Sequence, residues 1–280
     1  MLSHNLLLRV LSAAVLGPLA LFIAWLGDWP FACFWGAAAV AVLWEWTRLV
    51  AGPGHRLALS SCASAIAFAA LVAWRGRPLA AIMLVGLGAL AAAVFAPRER
   101  YLWFAAGIGY AGTLLLGPML LRADTQYGLF AIVLLFAIVW TTDVFAYFAG
   151  RAIGGPKLAP SISPKKTWAG ALAGALGAML IALLVARFAA SLLSSGPAAS
   201  LDQGTIAIIG LLLSVLAQLG DLLESWVKRQ FGAKDASALI PGHGGVMDRL
   251  DGFWAAALAG CVVGVLRGGF DNAARGLLVW

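Results

Sequence analysis

The sequence predicts an all-α, polytopic integral membrane protein with about nine transmembrane helices. Hydrophobic residues make up 62% of the 280 residues, the mean hydropathy is +0.94, and only 11% of residues are charged. Soluble domains contain roughly 45–50% apolar residues, well below this value. A helix that crosses the bilayer needs about 20 predominantly apolar residues. Nine windows of about this length are predicted to span the membrane: 6–26, 30–50, 57–74, 79–96, 101–121, 129–149, 168–190, 205–224 and 252–270.

The distribution of Lys and Arg predicts which way the chain crosses the membrane. With the N-terminus in the cytoplasm, 13 of the 19 Lys and Arg residues fall on the cytoplasmic side and 6 on the outer side, as the positive-inside rule requires. The first window has no small-residue cleavage site after its apolar core, so it is expected to be a retained span. Cytoplasmic loop charges near anionic lipid headgroups account for the net charge of +7, and no nucleic-acid partner is predicted.

The chain divides by composition into residues 1–125 with spans one to five, expected to be a scaffold, and residues 126–280 with spans six to nine, the candidate catalytic region because polar residues enter the membrane there. The scaffold is nearly free of acids. Its Glu45 lies between two tryptophans and is expected to reach the membrane interface or to pair with Arg48. Three cysteines lie in apolar spans without CxxC spacing and are predicted to be small core side chains: Cys33, Cys62 and Cys261.

The run from Asp221 to Asp251 concentrates charge that the rest of the chain avoids. It holds five carboxylates and four Lys or Arg residues, and ionisable side chains at membrane depth are expensive and usually functional. Asp248 and Asp251 are three residues apart, and so share one face if this segment opens span nine as a helix. Four polar residues of span eight share a helical stripe at i, i+3, i+4 and i+7: Asp221, Glu224, Ser225 and Lys228.

Acids from three spans predict a metal and phosphate site, because Asp143 lies inside span six after fourteen uncharged residues. Mg²⁺ takes oxygen ligands, typically one or two carboxylates with substrate phosphates. The turn 240–245 contains His243 and three glycines, whose N–H groups suit a phosphate. Lys and Arg bind phosphate oxygens, and six of them are candidates: Lys165, Lys166, Lys228, Arg229, Lys234 and Arg249.

Salt bridges that close a helix pair are the structural alternative for these charges. For a single acid–base pair that interpretation would be favoured. The run 221–251 contains nine charges in 31 residues, and Asp143 and the basic loop 151–166 add further charges elsewhere in the chain. This number of charges favours a functional site.

Two blocks in the second half of the chain resemble a known family. Residues 225–251, SWVKRQFGAKDASALIPGHGGVMDRLD, resemble the signature of phosphatidate cytidylyltransferases, also called CDP-diacylglycerol synthases, without a departure over 27 positions. Residues 142–168, TDVFAYFAGRAIGGPKLAPSISPKKTW, resemble a second block of that family. The N-terminal half is similar only in its hydropathy and in the Trp-Glu-Trp feature around Glu45.

The resemblance implies a reaction of CTP with phosphatidic acid that gives CDP-diacylglycerol and pyrophosphate. It implies Mg²⁺, a possible second cation such as K⁺, a homodimer, and a bacterial inner-membrane location with the active site facing the cytoplasm. Metal-binding acids would be Asp143, Asp221, Asp248 and Asp251. Catalytic residues would be Asp221, Lys228, Arg229, His243, Asp248, Arg249 and Asp251. Substrate-binding residues would be Ser163, Lys165, Lys166, Thr167, Glu224, Ser225, Lys234, Asp235, Gly244 and Gly245.

Three other functions fit parts of the same pattern. A related CTP-dependent enzyme could act on another lipid phosphate or lipid alcohol, such as an archaeal-type ether lipid or a polyprenol. An intramembrane prenyltransferase usually needs two aspartate-rich motifs, whereas this chain has one clear Asp-x-x-Asp. An ion-coupled transporter predicts uptake into vesicles without consumption of CTP, and the basic residues between Lys228 and Arg249 favour a phosphate enzyme over it.

Overall fold

Helices dominate the computed structural model, which describes residues 4–52, 54–192, 201–242 and 244–280. Within these ranges ten helices and one antiparallel hairpin follow one another in this order: α1 (His4–Leu26), α2 (Asp28–Ala51), α3 (Arg56–Trp74), α4 (Pro78–Phe95), α5 (Tyr101–Ala123), α6 (Gly128–Ala152), β1 (Lys157–Ala159), β2 (Ser163–Thr167), α7 (Trp168–Leu192), α8 (Gln203–Gln230), α9 (Met247–Gly268) and α10 (Ala273–Leu278).

The predicted fold class is confirmed, because each predicted span coincides with one of the helices α1 to α9. Among the described residues, six helices are long and apolar enough to cross a membrane: α3, α5, α6, α7, α8 and α9. The chain is therefore an all-α, polytopic integral membrane protein. The total of nine spans and the cytoplasmic N-terminus stay predictions.

Two helix limits differ from the predicted spans in a way that matters for the polar residues. Helix α8 continues to Gln230, beyond the predicted limit at 224, and α9 begins at Met247, before the predicted limit at 252. The polar stripe of α8 and the pair Asp248 and Asp251 are therefore helical throughout. Lipid requires apolar side chains only along the part of a helix that it contacts. A helix can therefore continue beyond its apolar window where protein contacts satisfy its polar side chains.

The chain forms two compact units. The first comprises Met1–Leu120 and Lys228–Leu250, and the second comprises Leu121–Val227 and Asp251–Trp280. The boundaries fall inside α5, α8 and α9. The segment 228–250 thus belongs with the N-terminal helices.

The first unit has an aromatic core between α2 and α5. Trp46 on α2 is buried, and its indole N–H donates to the backbone oxygen of Trp103 at 2.8 Å. The Trp46 ring also lies 5.4 Å from the ring of Tyr110 on α5. Helix α3 packs against both α2 and α4. Buried tryptophans here serve packing, since an indole that donates its N–H can lie inside the core.

The second unit is built around α6, which packs along α7. Phe136 on α6 stacks on Phe253 of α9 with ring centroids 4.7 Å apart. Thr142 on α6 and Ser214 on α8 are both buried, and their hydroxyl oxygens lie 2.7 Å apart in a hydrogen bond. Between α6 and α7 the chain forms the hairpin β1–β2, where Pro156, Pro160 and Pro164 exclude a continuous helix.

Candidate active site

Three acidic side chains and one lysine of the second unit form a group that we call the acidic cluster. The Asp251 carboxylate interacts electrostatically with the other three charges. The Asp143 side chain is exposed on the surface, and the side chains of the other members are partly buried. The members come from α6, α8, α9 and β2: Asp143, Asp221, Asp251 and Lys166. These charges belong to four elements that are distant in sequence.

A glycine allows α8 and α9 to approach at the acidic cluster. A Cβ at Gly220 would lie 2.6 Å from the backbone oxygen of Asp251 and 2.6 Å from the Cβ of Ala255. Both distances are too short for carbon, so a larger residue would force the helices apart. Gly220 directly precedes Asp221 in the sequence. The close helix contact is therefore what brings Asp221 and Asp251 together.

Lys166 connects the hairpin to the acidic cluster. Its Nζ lies 2.5 Å from Oδ2 of Asp221, and the two side chains are 26% and 33% exposed. The Nζ atom itself is buried, so the Asp221 carboxylate supplies the charge that compensates the lysine. Thr167, the next residue, is buried and accepts a hydrogen bond from the N–H of Gly170 at 3.2 Å. Thr167 thereby caps the start of α7 and fixes the end of the hairpin.

The first unit contains a buried ion pair between Lys228 and Asp248. The Nζ and Oδ1 atoms are 2.6 Å apart, and the side chains are 9% and 5% exposed. Asp248 also accepts hydrogen bonds from the N–H groups of Ala236 at 3.0 Å and Gly245 at 2.7 Å. Burial of an ion pair is favourable only if further hydrogen bonds satisfy its atoms. Asp248 meets this condition and holds both the lysine and the segment between α8 and α9.

Glu45 is a residue whose position sequence reasoning did not predict. It is fully buried and accepts hydrogen bonds from the Ser237 hydroxyl at 2.5 Å and from the N–H groups of Val246 at 2.9 Å and Met247 at 2.7 Å. The first N–H groups of a helix lack partners within the helix, and a carboxylate is stabilised there by the helix dipole. Glu45 therefore fixes the start of α9.

The expectation that Glu45 reaches the interface or pairs with Arg48 is wrong. Arg48 instead lies over the ring of Trp44, 4.8 Å from its centroid. The sequence signal for a special role of Glu45 was the presence of an acidic residue in an apolar span. Its partners could not be found from sequence, because they lie about 200 residues away and two of the three are backbone groups.

The glycine turn before α9 makes room for these carboxylates. Gly244 has a φ of +86°, and a Cβ on it would lie 2.8 Å from Oδ2 of Asp248. A Cβ on Gly245 would lie 2.6 Å from Oε1 of Glu45. The Gly244 N–H donates to the Ile240 oxygen at 3.2 Å. Both glycine N–H groups thus have protein acceptors, and their contact with a phosphate stays a prediction.

The remaining predicted site residues lie in varied surroundings. Glu224 is buried, and the Ser225 hydroxyl donates to Oδ1 of Asp221 at 3.4 Å. Ser163 is partly buried, and His243 lies outside the described residues. Within the part of the chain that the structure describes, no three His, Cys, Asp or Glu side chains form a group that could hold a metal. Five of these remaining site residues are charged and exposed: Lys165, Arg229, Lys234, Asp235 and Arg249.

Replacement of Glu45 by Gln is expected to lower stability. The amide nitrogen of Gln cannot accept a hydrogen bond, so one backbone N–H that now donates to the carboxylate would lose its acceptor. An unsatisfied buried polar group costs about 1–3 kcal/mol. The unfolding midpoint in detergent should fall by about 2–4 °C for each kcal/mol. Glu99→Gln, at an exposed glutamate, is the matched control. Equal midpoints for the two variants would contradict the buried role of Glu45.

These features define a helical membrane protein whose second unit contains a cluster of three carboxylates and a lysine. The chain belongs to the cytidylyltransferase family, whose family model matches residues 7–265, and the resemblance noted in the sequence is confirmed. It is 43% identical over 265 residues to a phosphatidate cytidylyltransferase of Brucella abortus, covering 90% of this chain and 91% of the relative. The protein of that name from Haemophilus influenzae is 34% identical, covering 88% and 92%. As a member of this family, the chain is a nucleotidyltransferase.

Proposed function

We propose that the protein transfers the cytidylyl group of CTP to phosphatidate, which gives CDP-diacylglycerol and pyrophosphate. The names of relatives that match about nine-tenths of the chain support this substrate pair. The observation that carries the proposal is the acidic cluster, since three carboxylates and a lysine converge from four elements of a membrane protein. Such charges are energetically expensive in a membrane and are usually retained where they have a function.

The reaction needs one displacement at phosphorus. A phosphate oxygen of phosphatidate forms a bond to the α-phosphorus of CTP, and the bond from that phosphorus to the bridging oxygen of the β-phosphate breaks. Pyrophosphate leaves with the bonding electrons. Catalysis of such a transfer requires mainly alignment and compensation of negative charge, which are tasks for fixed charged side chains.

The acidic cluster fits Mg²⁺, which commonly uses one or two protein carboxylates together with substrate phosphates. Asp221 and Asp251 would supply these carboxylates, because Gly220 lets their helices approach closely. Mg²⁺ bound there would neutralise part of the triphosphate charge. Asp143 adds a further negative charge to the same cluster. Lys166 would give up Asp221 and bind a phosphate oxygen.

The residues of the first unit have a different proposed role. Lys228 is held by Asp248 at 2.6 Å, so its charge has a fixed position. Arg229, Lys234 and Arg249 are exposed and would bind phosphate oxygens of CTP or of the lipid. Glu45 and Asp248 would position the segment that carries these cations.

The resemblance extends the proposal to the setting of the enzyme. We expect the site to face the cytoplasm of a bacterial inner membrane, where CTP is present. A K⁺ ion as second cation and a homodimer are further predictions from the resemblance.

The proposed function predicts pyrophosphate release that requires CTP, phosphatidate and Mg²⁺ together. Purified protein in detergent should release pyrophosphate with CTP, and much less with ATP, GTP or UTP. A panel with a polyprenyl phosphate, an ether lipid phosphate and a polyprenol tests the related lipid substrates. Pyrophosphate release with one of those lipids but not with phosphatidate would contradict the proposal. So would solute uptake by proteoliposomes without loss of CTP, as expected of a transporter.

A further inference from the structure

The first unit contains an apolar groove of about 810 Å³ that the proposed chemistry does not use. It runs between α2 and α3, and Leu239 of the segment between α8 and α9 also lines it. We call it the α2–α3 groove. Its volume is in the range of pockets that hold small molecules, and its walls are almost entirely hydrocarbon.

The groove follows the length of both helices. Its α2 residues recur every three or four positions from Trp29 to Trp44, and its α3 residues do so from Leu59 to Trp74. Fifteen residues of helix extend about 22 Å, which exceeds the roughly 15 Å that one leaflet contributes to the hydrocarbon core. The groove is therefore long enough for a complete acyl chain.

Small side chains open the groove between the aromatic residues at its ends. Ala37, Ala67 and Cys33 line it and are exposed within it. The expectation that Cys33 is a core side chain is wrong, whereas Cys62 and Cys261 are buried as predicted. Where α2 and α3 touch, a Cβ on a glycine of α2 would lie 3.3 Å from an alanine Cβ of α3, so the groove is a surface channel over a close helix contact.

One lining residue connects the groove to the polar segment. Leu239 is 49% exposed, and its N–H donates to the Ser237 hydroxyl at 3.2 Å. That hydroxyl donates in turn to Glu45. The segment Lys228–Leu250 carries four Lys or Arg residues and two acids, so the groove adjoins a segment of net positive charge. An apolar channel next to a cationic segment matches a lipid with an anionic headgroup.

We propose that the α2–α3 groove binds an acyl chain of the phosphatidate substrate. The proposal rests on the proposed function, and it gives a substrate-binding role to helices that the sequence predicts to be scaffold. Lipid is as apolar as the groove, so an acyl chain gains affinity in the groove from van der Waals packing against the small side chains. The anionic phosphate headgroup, which diacylglycerol lacks, would supply the selectivity for phosphatidate.

Modification of Cys33 tests binding without any measurement of turnover. N-ethylmaleimide should label Cys33 in the wild-type protein in detergent, because the other two cysteines are buried, and a Cys33→Ala variant gives the background. Phosphatidate should slow the labelling several-fold, whereas diacylglycerol with the same acyl chains should not. Equal protection by both lipids would mean that the groove takes any acyl chain, and no protection would mean that it takes none. Either result overturns the proposal.

Groove-filling variants test the role of the groove in substrate selection. Ala37→Phe and Ala67→Phe should reduce kcat/KM for long-chain phosphatidate by about three- to tenfold, because lost packing contacts are individually small and collectively large. The kcat/KM for dihexanoyl phosphatidate should stay within about twofold of wild type. Ala106→Phe, at an exposed alanine outside the groove, should leave both values unchanged.

Three further outcomes separate this proposal from its alternatives. An equal loss with the short and long lipids would overturn the acyl-chain role. Efficient cross-linking of Cys33 between two copies, with no effect of phosphatidate, would identify the groove as a contact between protomers. If the wild-type protein releases no pyrophosphate from CTP but phosphatidate still protects Cys33, the proposed function fails while lipid binding in the groove stands.

Discussion

Asp251→Asn should abolish most catalysis and leave the protein folded. We expect pyrophosphate release to fall by at least about 10²-fold, the effect typical of losing one fixed electrostatic contribution to a transition state. Asn has nearly the same shape as Asp, so the close approach of α8 and α9 at Gly220 is kept. Asp251 lies near the negative charges of Asp221 and Asp143, so its neutralisation removes repulsion. The unfolding midpoint in detergent should therefore be unchanged or higher.

A ligand-induced shift in stability tests the metal assignment independently of turnover. A ligand that binds only the folded state raises the unfolding midpoint by mass action. Mg²⁺ with CTP should raise the midpoint of the wild-type protein and of Asp271→Asn, a control at an exposed aspartate. The same addition should have a much smaller effect on Asp251→Asn. Near wild-type turnover with an unchanged Mg²⁺ dependence in Asp251→Asn would remove this residue from the proposed site.

The fold was predictable from the sequence because lipid imposes one strong constraint. A span must satisfy its own backbone and present apolar side chains, and so every predicted window coincides with a helix. The three acids of the acidic cluster were predictable for a related reason. Asp143, Asp221 and Asp251 are charges in apolar spans, and such charges are retained where they have a function. Helical spacing then indicated which of them share a face.

The roles of individual carboxylates were less predictable, because they depend on backbone partners that have no sequence signature. Asp248 and Asp251 share an i, i+3 pattern, yet Asp248 accepts hydrogen bonds from two backbone N–H groups and pairs with Lys228. Glu45 binds two backbone N–H groups at the start of α9. An N–H group belongs to almost every residue type, so only the folded chain shows which ones a carboxylate reaches.

Asp248→Asn should destabilise the protein, in contrast to Asp251→Asn. It leaves the Lys228 charge buried without the opposite charge of Asp248, and removing one charge of a buried ion pair costs about 3–5 kcal/mol. Lys228→Met leaves the buried Asp248 carboxylate without an opposite charge and should have a similar effect. The double variant removes both charges and keeps the amide oxygen of Asn as an acceptor for the N–H groups of Ala236 and Gly245. The loss of stability in the double variant should therefore be smaller, by roughly 1–3 kcal/mol, than the sum of the losses in the two single variants.

The ion pair between Lys166 and Asp221 provides the matched control for this cycle. Lys166 and Asp221 are also paired at 2.5 Å, but they are 26% and 33% exposed. Lys166→Met and Asp221→Asn should each cost less stability than Asp248→Asn, because their side chains are more exposed, although both should impair pyrophosphate release. If Asp248→Asn were as stable as Asp221→Asn, the buried pair would not hold the segment between α8 and α9. Loss of turnover would then report a direct chemical role for Asp248, such as the metal ligation that its sequence pattern predicts.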